Sequence, residues 1–167
     1  MSSKLHLRIM EPEDLEDVFQ IENDSDLWEV STNHGPYSHR VVTDFVLNST
    51  GDIAKDGQMR FMVETDEGVV GTLDFTDYNA VHQRAEIGVA IKREFRGSGY
   101  AREAVNLAVD YARDYLLLHQ LYVLVHAKNT VSLNLFRQLG FNESGLLQQW
   151  YRSPSGFEDV YVLQLFL

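Results

Sequence analysis

The sequence predicts a mixed α/β (α+β) fold, in which one central, twisted, mostly antiparallel sheet of about seven strands carries about four helices, as a single domain over residues 1–167. Three observations predict it. Residues 60–91 hold three strand-like runs in succession, separated by turn residues. Residues 101–118 hold the longest run with helical period. Residues 121–125, Leu-Tyr-Val-Leu-Val, are almost continuously apolar, as in a strand buried on both faces.

Leu5, Leu7 and Ile9 alternate with His6 and Arg8, the pattern of a half-buried strand. A helix follows: Pro12 suits its first turn, Glu13 and Asp14 suit its positive end, and Leu15, Val18, Phe19 and Glu22 mark one face until the pattern fades near residues 23–24. Residues 24–38 are irregular and read as a loop. Ser38 is placed as the N-cap of a second helix with Val41, Val42, Phe45 and Val46 on its apolar side. Strands over 60–65 and 69–76 flank the turn Asp66-Glu67-Gly68, and a third strand runs over 85–91. In that strand Glu86, Gly88 and Ala90 share one face, and Ile87, Val89 and Ile91 share the other. The first face has room for something thin, or for a helix packed closely over Gly88. The helix over 101–118, then the strand over 121–125, complete a crossover with parallel pairing. A short helix over 131–139 ends at Gly140, and strands near 141–150 and 157–165 are joined through Ser153-Pro154-Ser155-Gly156.

Composition narrows the function. No run approaches the eighteen or so apolar residues that a membrane helix requires, the first residues lack the apolar core of a signal peptide, and there is no cysteine, so a cytoplasmic setting without a membrane partner is expected. Thiol catalysis and cysteine-ligated zinc are excluded, and the six histidines show no metal spacing, so each is expected to pack or face solvent and no metal is expected. A formal charge of -11 argues against nucleic acid. The charge is uneven: nine Asp or Glu and no Lys or Arg lie between Glu11 and Glu29. That run is either a solvated helix face or an acidic rim that attracts a cation.

Four of the fourteen Lys and Arg (Lys92, Arg93, Arg96 and Arg102) fall in one short window around Gly97-Ser98-Gly99, at a strand-to-helix turn. Such a turn is either a tight connection or an anion site, because glycines allow close backbone approach and a helix start presents free N–H groups and a positive dipole end. A Walker loop is excluded by the missing Gly-Lys-Ser/Thr, a dinucleotide fingerprint by Arg102 where a third glycine is needed, and a nucleophile elbow by glycines directly on both sides of Ser98.

These residues resemble the GNAT superfamily of acyl-CoA-dependent N-acyltransferases. Arg96-Gly97-Ser98-Gly99-Tyr100-Ala101 is similar to its phosphate motif, and Asn129, Ser132, Phe136, Arg137 and Gly140-Phe141 are similar to a second signature. Arg84-Ala85-Glu86, Asp110-Tyr111 and the 136–141 segment look most like bacterial spermidine/diamine N-acetyltransferases and their ribosomal-protein N-terminal acetyltransferase cousins. The resemblance implies acetyl-CoA as co-substrate and a GNAT-like sheet. It further implies that Val89, Ala90 and Ile91 pair with the pantetheine arm, that the N–H groups of Arg96 to Ala101 hold the pyrophosphate, and that Asn129, Ser132 and Phe136 lie along the arm. Asn129 also fits a helix N-cap.

Transfer to an amine needs a base, because an alkylamine is mostly protonated at neutral pH. Glu86 is the candidate, its alternative role being a salt bridge with a neighbour such as Arg84; a strand N–H near Val89 would polarise the thioester oxygen. Two departures stand out. Where many relatives carry a tyrosine that protonates the CoA sulfur, this chain has Phe136, leaving water, Tyr100, Tyr122 or His126 as proton sources. The acidic pair that the resemblance associates with polyamine binding is replaced by His34-Gly35. The expected function is acetyl transfer from acetyl-CoA to a primary amine of a small molecule, a polyamine such as spermidine among the candidates. Acetylation of a protein N-terminus or lysine, and a non-catalytic acyl-CoA-binding module, are the alternatives. Self-association as a homo-oligomer stays open.

Overall fold

The computed structural model describes residues 4–31 and 35–167, so His34 of the His34-Gly35 departure lies outside the described residues. Seven strands form one sheet: β1 (His6–Ile9), β2 (Met59–Thr65), β3 (Gly68–Asn79), β4 (Arg84–Ile91), β5 (Gln120–His126), β6 (Asn142–Ser153) and β7 (Gly156–Phe166), in the spatial order β1-β2-β3-β4-β5-β7-β6. Every neighbouring pair is antiparallel except β4 and β5. Among the described residues there are six helices: α1 (Leu15–Glu22), α2 (Ser25–Trp28), α3 (His39–Asn48), α4 (Ile53–Asp56), α5 (Tyr100–Asp114) and α6 (Thr130–Gln138).

The period-two alternation of the strands divides the core between the two faces of the sheet. On β2, Phe61 and Val63 enter a cluster with Leu73, Ile87, Leu121 and the Ala104, Val105, Ala108 and Ala112 stripe of α5. Met62, one residue out of phase, enters a second cluster with Met10, Val18 of α1 and Val42 and Val46 of α3. Cross-strand register puts Ala90 beside Thr72, and Thr72 beside Met62, so the Glu86, Gly88, Ala90 face of β4 looks toward α1 and α3.

Two expectations about elements need correction, and one further turn was not expected. Residues 24–38 are not wholly a loop: α2 forms one helical turn, capped by the Asp24 carboxylate accepting from the Asp26 N–H. A second single turn, α4, is capped by Asp52. Neither turn is long enough to show a period. α5 ends at Asp114 rather than at 118: Leu117 takes φ 53, and the chain turns Leu118 back into the core, where it is 5% exposed. Leu118 therefore reaches the interior by a left-handed turn and not by continuing the helix.

The entry to α1 is held by charge. Arg8 donates to both oxygens of the buried Asp14 at 2.7 Å each and to Glu64 at 2.9 Å, while Asp14 also accepts from the Glu11 backbone N–H at 2.8 Å. Burial pushes the Asp14 carboxyl up, but the Arg8 donors and the Glu11 N–H more than offset it and hold it below the ordinary value. An Asp14→Ala variant leaves Arg8 half of its partners and should lose about 2–3 kcal/mol in urea unfolding. Because the folded carboxyl is the stronger acid, that contribution is present above the ordinary aspartate pKa of about 4 and fades as pH falls through the lowered folded value. The difference between wild type and variant should therefore shrink in acid.

Candidate active site

β4 and β5 pair over three positions only, Arg84 with Gln120, Ala85 with Leu121 and Glu86 with Tyr122; beyond Glu86 the two parallel strands part. The other edge of β4 stays paired with β3 as far as Ile91 with Gly71. The opening therefore leaves the backbone edge of Val89 to Ile91 facing away from the ladder. It also produces a cleft of about 270 Å³ lined by Gly88, Val89 and Ala90 on one side and by Val123, Leu124, Val125 and His126 on the other. A Cβ built on Gly88 meets no atom within 4 Å, so no helix packs over it, and of the two readings of the small-residue face the open one holds.

Glu86 stands at the last paired position, where this cleft meets a second cavity of about 380 Å³. Burial first, and then the negative charge of Asp77, push its carboxyl above the ordinary glutamate value, with the Leu124 backbone N–H acting in the other direction. A carboxylate held nearer neutrality is suited to take a proton and pass it on. Among the described residues no ion pair of Glu86 replaces this arrangement: Arg84 lies 3.7 Å from Asp77 instead.

The second cavity has an apolar wall from Val41, Val42 and Phe45 of α3 with Tyr37 and Phe75. Its polar floor is Arg60, which pairs with Glu22 at 2.6 Å and with Asp74 at 2.7 Å beneath the Phe45 ring. Counting Glu86, three carboxylates face one guanidinium among its lining residues, so the cavity favours a cation.

Past the end of β4, the segment Arg96 to Ala101 leads into α5. Gly97 and Gly99 take φ 77 and 87, and a Cβ at either would meet nothing within 4 Å, so glycine is required here by backbone conformation and not by crowding. Gly99 is the N-cap of the fifteen-residue α5, and no side chain caps the helix start, whose N–H groups and dipole favour an anion. The basic window has a different role from the one its charge suggested. Arg96 donates to the Ile91 carbonyl at 2.8 Å and pairs with Asp24 at 2.6 Å and Asp26 at 3.1 Å; Arg93 pairs with the same two, and Lys92 with Asp17 at 2.5 Å. The acidic run is thus neither simply a solvated face nor a free rim. Asp14, Asp17, Glu22, Asp24 and Asp26 are engaged with basic partners, and three of them clamp α1 and α2 to the turn that precedes α5.

The remaining expected residues separate into two groups. Asn129, Ser132 and Phe136 line the same cleft as Glu86 and Val89. The Asn129 side chain accepts from the Ser132 N–H at 3.1 Å, which makes it the N-cap of α6, and its amide N–H₂ donors stay available to the cleft. Tyr100 and Tyr122 line neither cavity. The Tyr100 ring lies edge-on to Phe95 at the start of α5, and the Tyr122 hydroxyl donates to Asp77 at 2.6 Å. Burial and that bond push the Tyr122 phenol well above its ordinary value, and the bond commits its proton to Asp77, away from the cleft. Sequence reasoning missed Tyr151, which lines the cleft with its ring stacked on His126, and the Arg60, Asp74, Tyr37 and Phe45 group of the second cavity. Contacts across such distances leave no local pattern to read.

The acetyltransferase (GNAT) domain family matches residues 4–142. The spermidine N(1)-acetyltransferase of Escherichia coli strain K12 is 33% identical over 141 residues, 84% of this chain and 74% of that protein. The spermidine N(1)-acetyltransferase of Vibrio cholerae is 29% identical over 168 residues, 98% of this chain and 95% of that one. A crystal structure of the Vibrio cholerae spermidine N-acetyltransferase in complex with CoA and spermine has a TM-score of 0.90 to this structure at 26% identity, covering 97% and 95% of the two chains. The chain belongs to the GNAT acetyltransferase family.

Proposed function

We propose that this chain transfers the acetyl group of acetyl-CoA to a primary amine of a small cationic molecule of the polyamine class. The observation that carries this reading is the position of Glu86, at the point where the β4–β5 opening meets a cavity with excess negative charge. The residues present fit acetyl-CoA: a backbone edge at Val89 to Ile91 that β5 leaves unpaired and of which Arg96 holds the Ile91 carbonyl, a small floor at Gly88 and Ala90, and an uncapped helix start behind Gly97 and Gly99. The bound thioester supplies an activated acetyl group. The edge of Val89 to Ile91 hydrogen-bonds the pantetheine amides, and a strand N–H near Val89 polarises the thioester oxygen. The N–H groups from Gly97 to Ala101 hold the pyrophosphate, while the Arg96 side chain positions that turn. Glu86 takes the proton from the incoming ammonium, directly or through a water. The spermidine N-acetyltransferase relatives support an amine acceptor, and a dodecameric structure of the Vibrio cholerae relative supports self-association here.

An acceptor screen tests the reading. Thiol release from acetyl-CoA should be rapid with di- and polyamines and slow with peptides. Turnover confined to peptides would move the assignment to protein acetylation; tight CoA binding without turnover of any acceptor would make the chain a binding module.

A further inference from the structure

Phe136 lies in the cleft with no proton to give, and Tyr100 and Tyr122 are turned elsewhere. Another tyrosine lines the same cleft. β6 loses its regular pairing with β7 between Leu147 and Tyr151, where Gln149 takes φ 52 and its N–H donates to the Asp159 carboxylate at 2.8 Å. Bulges of this kind re-aim the side chains that follow them. Tyr151 resumes the ladder opposite Glu158 and lines the cavity that also holds Glu86, Val89, Asn129, Ser132 and Phe136. Its ring lies flat on the buried His126 ring, with centroids 4.7 Å apart and planes at 14°, so its place is set by packing.

We infer that the Tyr151 hydroxyl is the group that protonates the departing sulfur, the task Phe136 cannot perform. The inference rests on the transfer reaction proposed above. In that reaction the ammonium first loses one proton through Glu86 to solvent; the neutral amine nitrogen then forms a bond to the thioester carbonyl carbon, and the second proton it loses passes to the Glu86 carboxylate. The C–S bond breaks with its electron pair on sulfur, and the Tyr151 O–H proton goes to that sulfur. The phenolate is reprotonated from solvent or from protonated Glu86. One acetyl group has moved from sulfur to nitrogen, one proton from nitrogen to sulfur and one proton from the ammonium to solvent, with no oxidant or reductant.

Three neighbours bear on the hydroxyl: Glu86 on β4, His126 on β5 and Trp150 on its own strand. Burial, and then the Glu86 charge, push the Tyr151 phenol above its ordinary value, against an opposing contribution from Trp150. At neutral pH the group is therefore a donor and not a phenolate.

Tyr151→Phe keeps the ring on His126 and removes only the hydroxyl. The first measurement is the ionisation of bound CoA thiol, followed by the ultraviolet absorbance of its thiolate. Loss of the donor should leave CoA affinity unchanged and raise the pH of thiol ionisation by about one unit, a tenfold change in thiolate population. In steady state kcat should fall about a hundredfold with KM for acetyl-CoA unchanged. Adding Phe136→Tyr to that variant, which returns a hydroxyl to the same cleft, should restore most of the rate. An unchanged thiol titration overturns the inference, as does an unchanged kcat. Failure of the wild type to turn over any amine would sink the transfer reading instead, and the thiol titration alone would then decide whether Tyr151 bonds to sulfur.

Discussion

A Glu86→Gln variant should lose about a thousandfold in kcat/KM for the amine at neutral pH. The substitution keeps the size of the side chain and a carbonyl oxygen for the Leu124 N–H, and removes only the capacity to take a proton. In the wild type the rate should climb with pH through the Glu86 pKa, which burial and the Asp77 charge place above the ordinary glutamate value. In the variant that rise disappears, and the rate should follow only the fraction of free amine in solution. A variant whose pH profile matches the wild type would remove Glu86 as the base. A second signature comes with the first. Because the folded carboxyl is the weaker acid, its burial favours folding below the ordinary glutamate value and loses that advantage as pH rises through the folded value. Gln carries no charge at any pH, so the inactive variant should unfold at a higher temperature than the wild type at neutral pH, the stability cost expected of a working group.

Gly99→Glu should weaken CoA binding about a thousandfold, read by calorimetry. A carboxylate at the start of α5 stands where the pyrophosphate is to be held, and like charges about 4 Å apart near a protein surface repel by about 4 kcal/mol. The left-handed backbone at Gly99, φ 87, adds a conformational cost of about 1 kcal/mol for any other L-residue. Gly99→Ala carries the second cost without the first, and its Cβ meets no neighbour. The alanine variant should therefore be less stable yet bind CoA nearly as wild type does. If Glu and Ala weaken binding equally, the turn acts through its shape and holds no anion.

Both proposed sites could be named before any tertiary structure, for different reasons. The turn at residues 96–101 is contiguous, so its glycines, its helix start and its anion preference are all local properties. Glu86 is visible because a strand has period two, which sets it on the same face as Gly88 and Ala90. The Asn129 cap is local in the same way, three residues from the N–H it serves. What could not be read comes from pairs far apart in sequence. Asp17, Asp24 and Asp26 of the acidic run meet Lys92, Arg93 and Arg96 of the basic window, Asp24 to Arg96 across 72 positions, and those charges are spent on each other. The Arg60, Glu22 and Asp74 floor joins two strands and a helix. Tyr151 fell just past the strand expected near 141–150, and only the slip of β6 against β7 brings it to the cleft.

The sequence by itself determined the strands and the longer helices, the face on which the carboxylate stands and the turn that can receive an anion, because propensity, periodicity and backbone freedom act within a few residues. Only the tertiary structure decided that β4 and β5 part just beyond Glu86, that Tyr122 is occupied by Asp77, and that Tyr151 shares a cleft with Phe136. Those outcomes depend on strand register and on burial, which arise when separate segments pack together and have no value in any one segment alone.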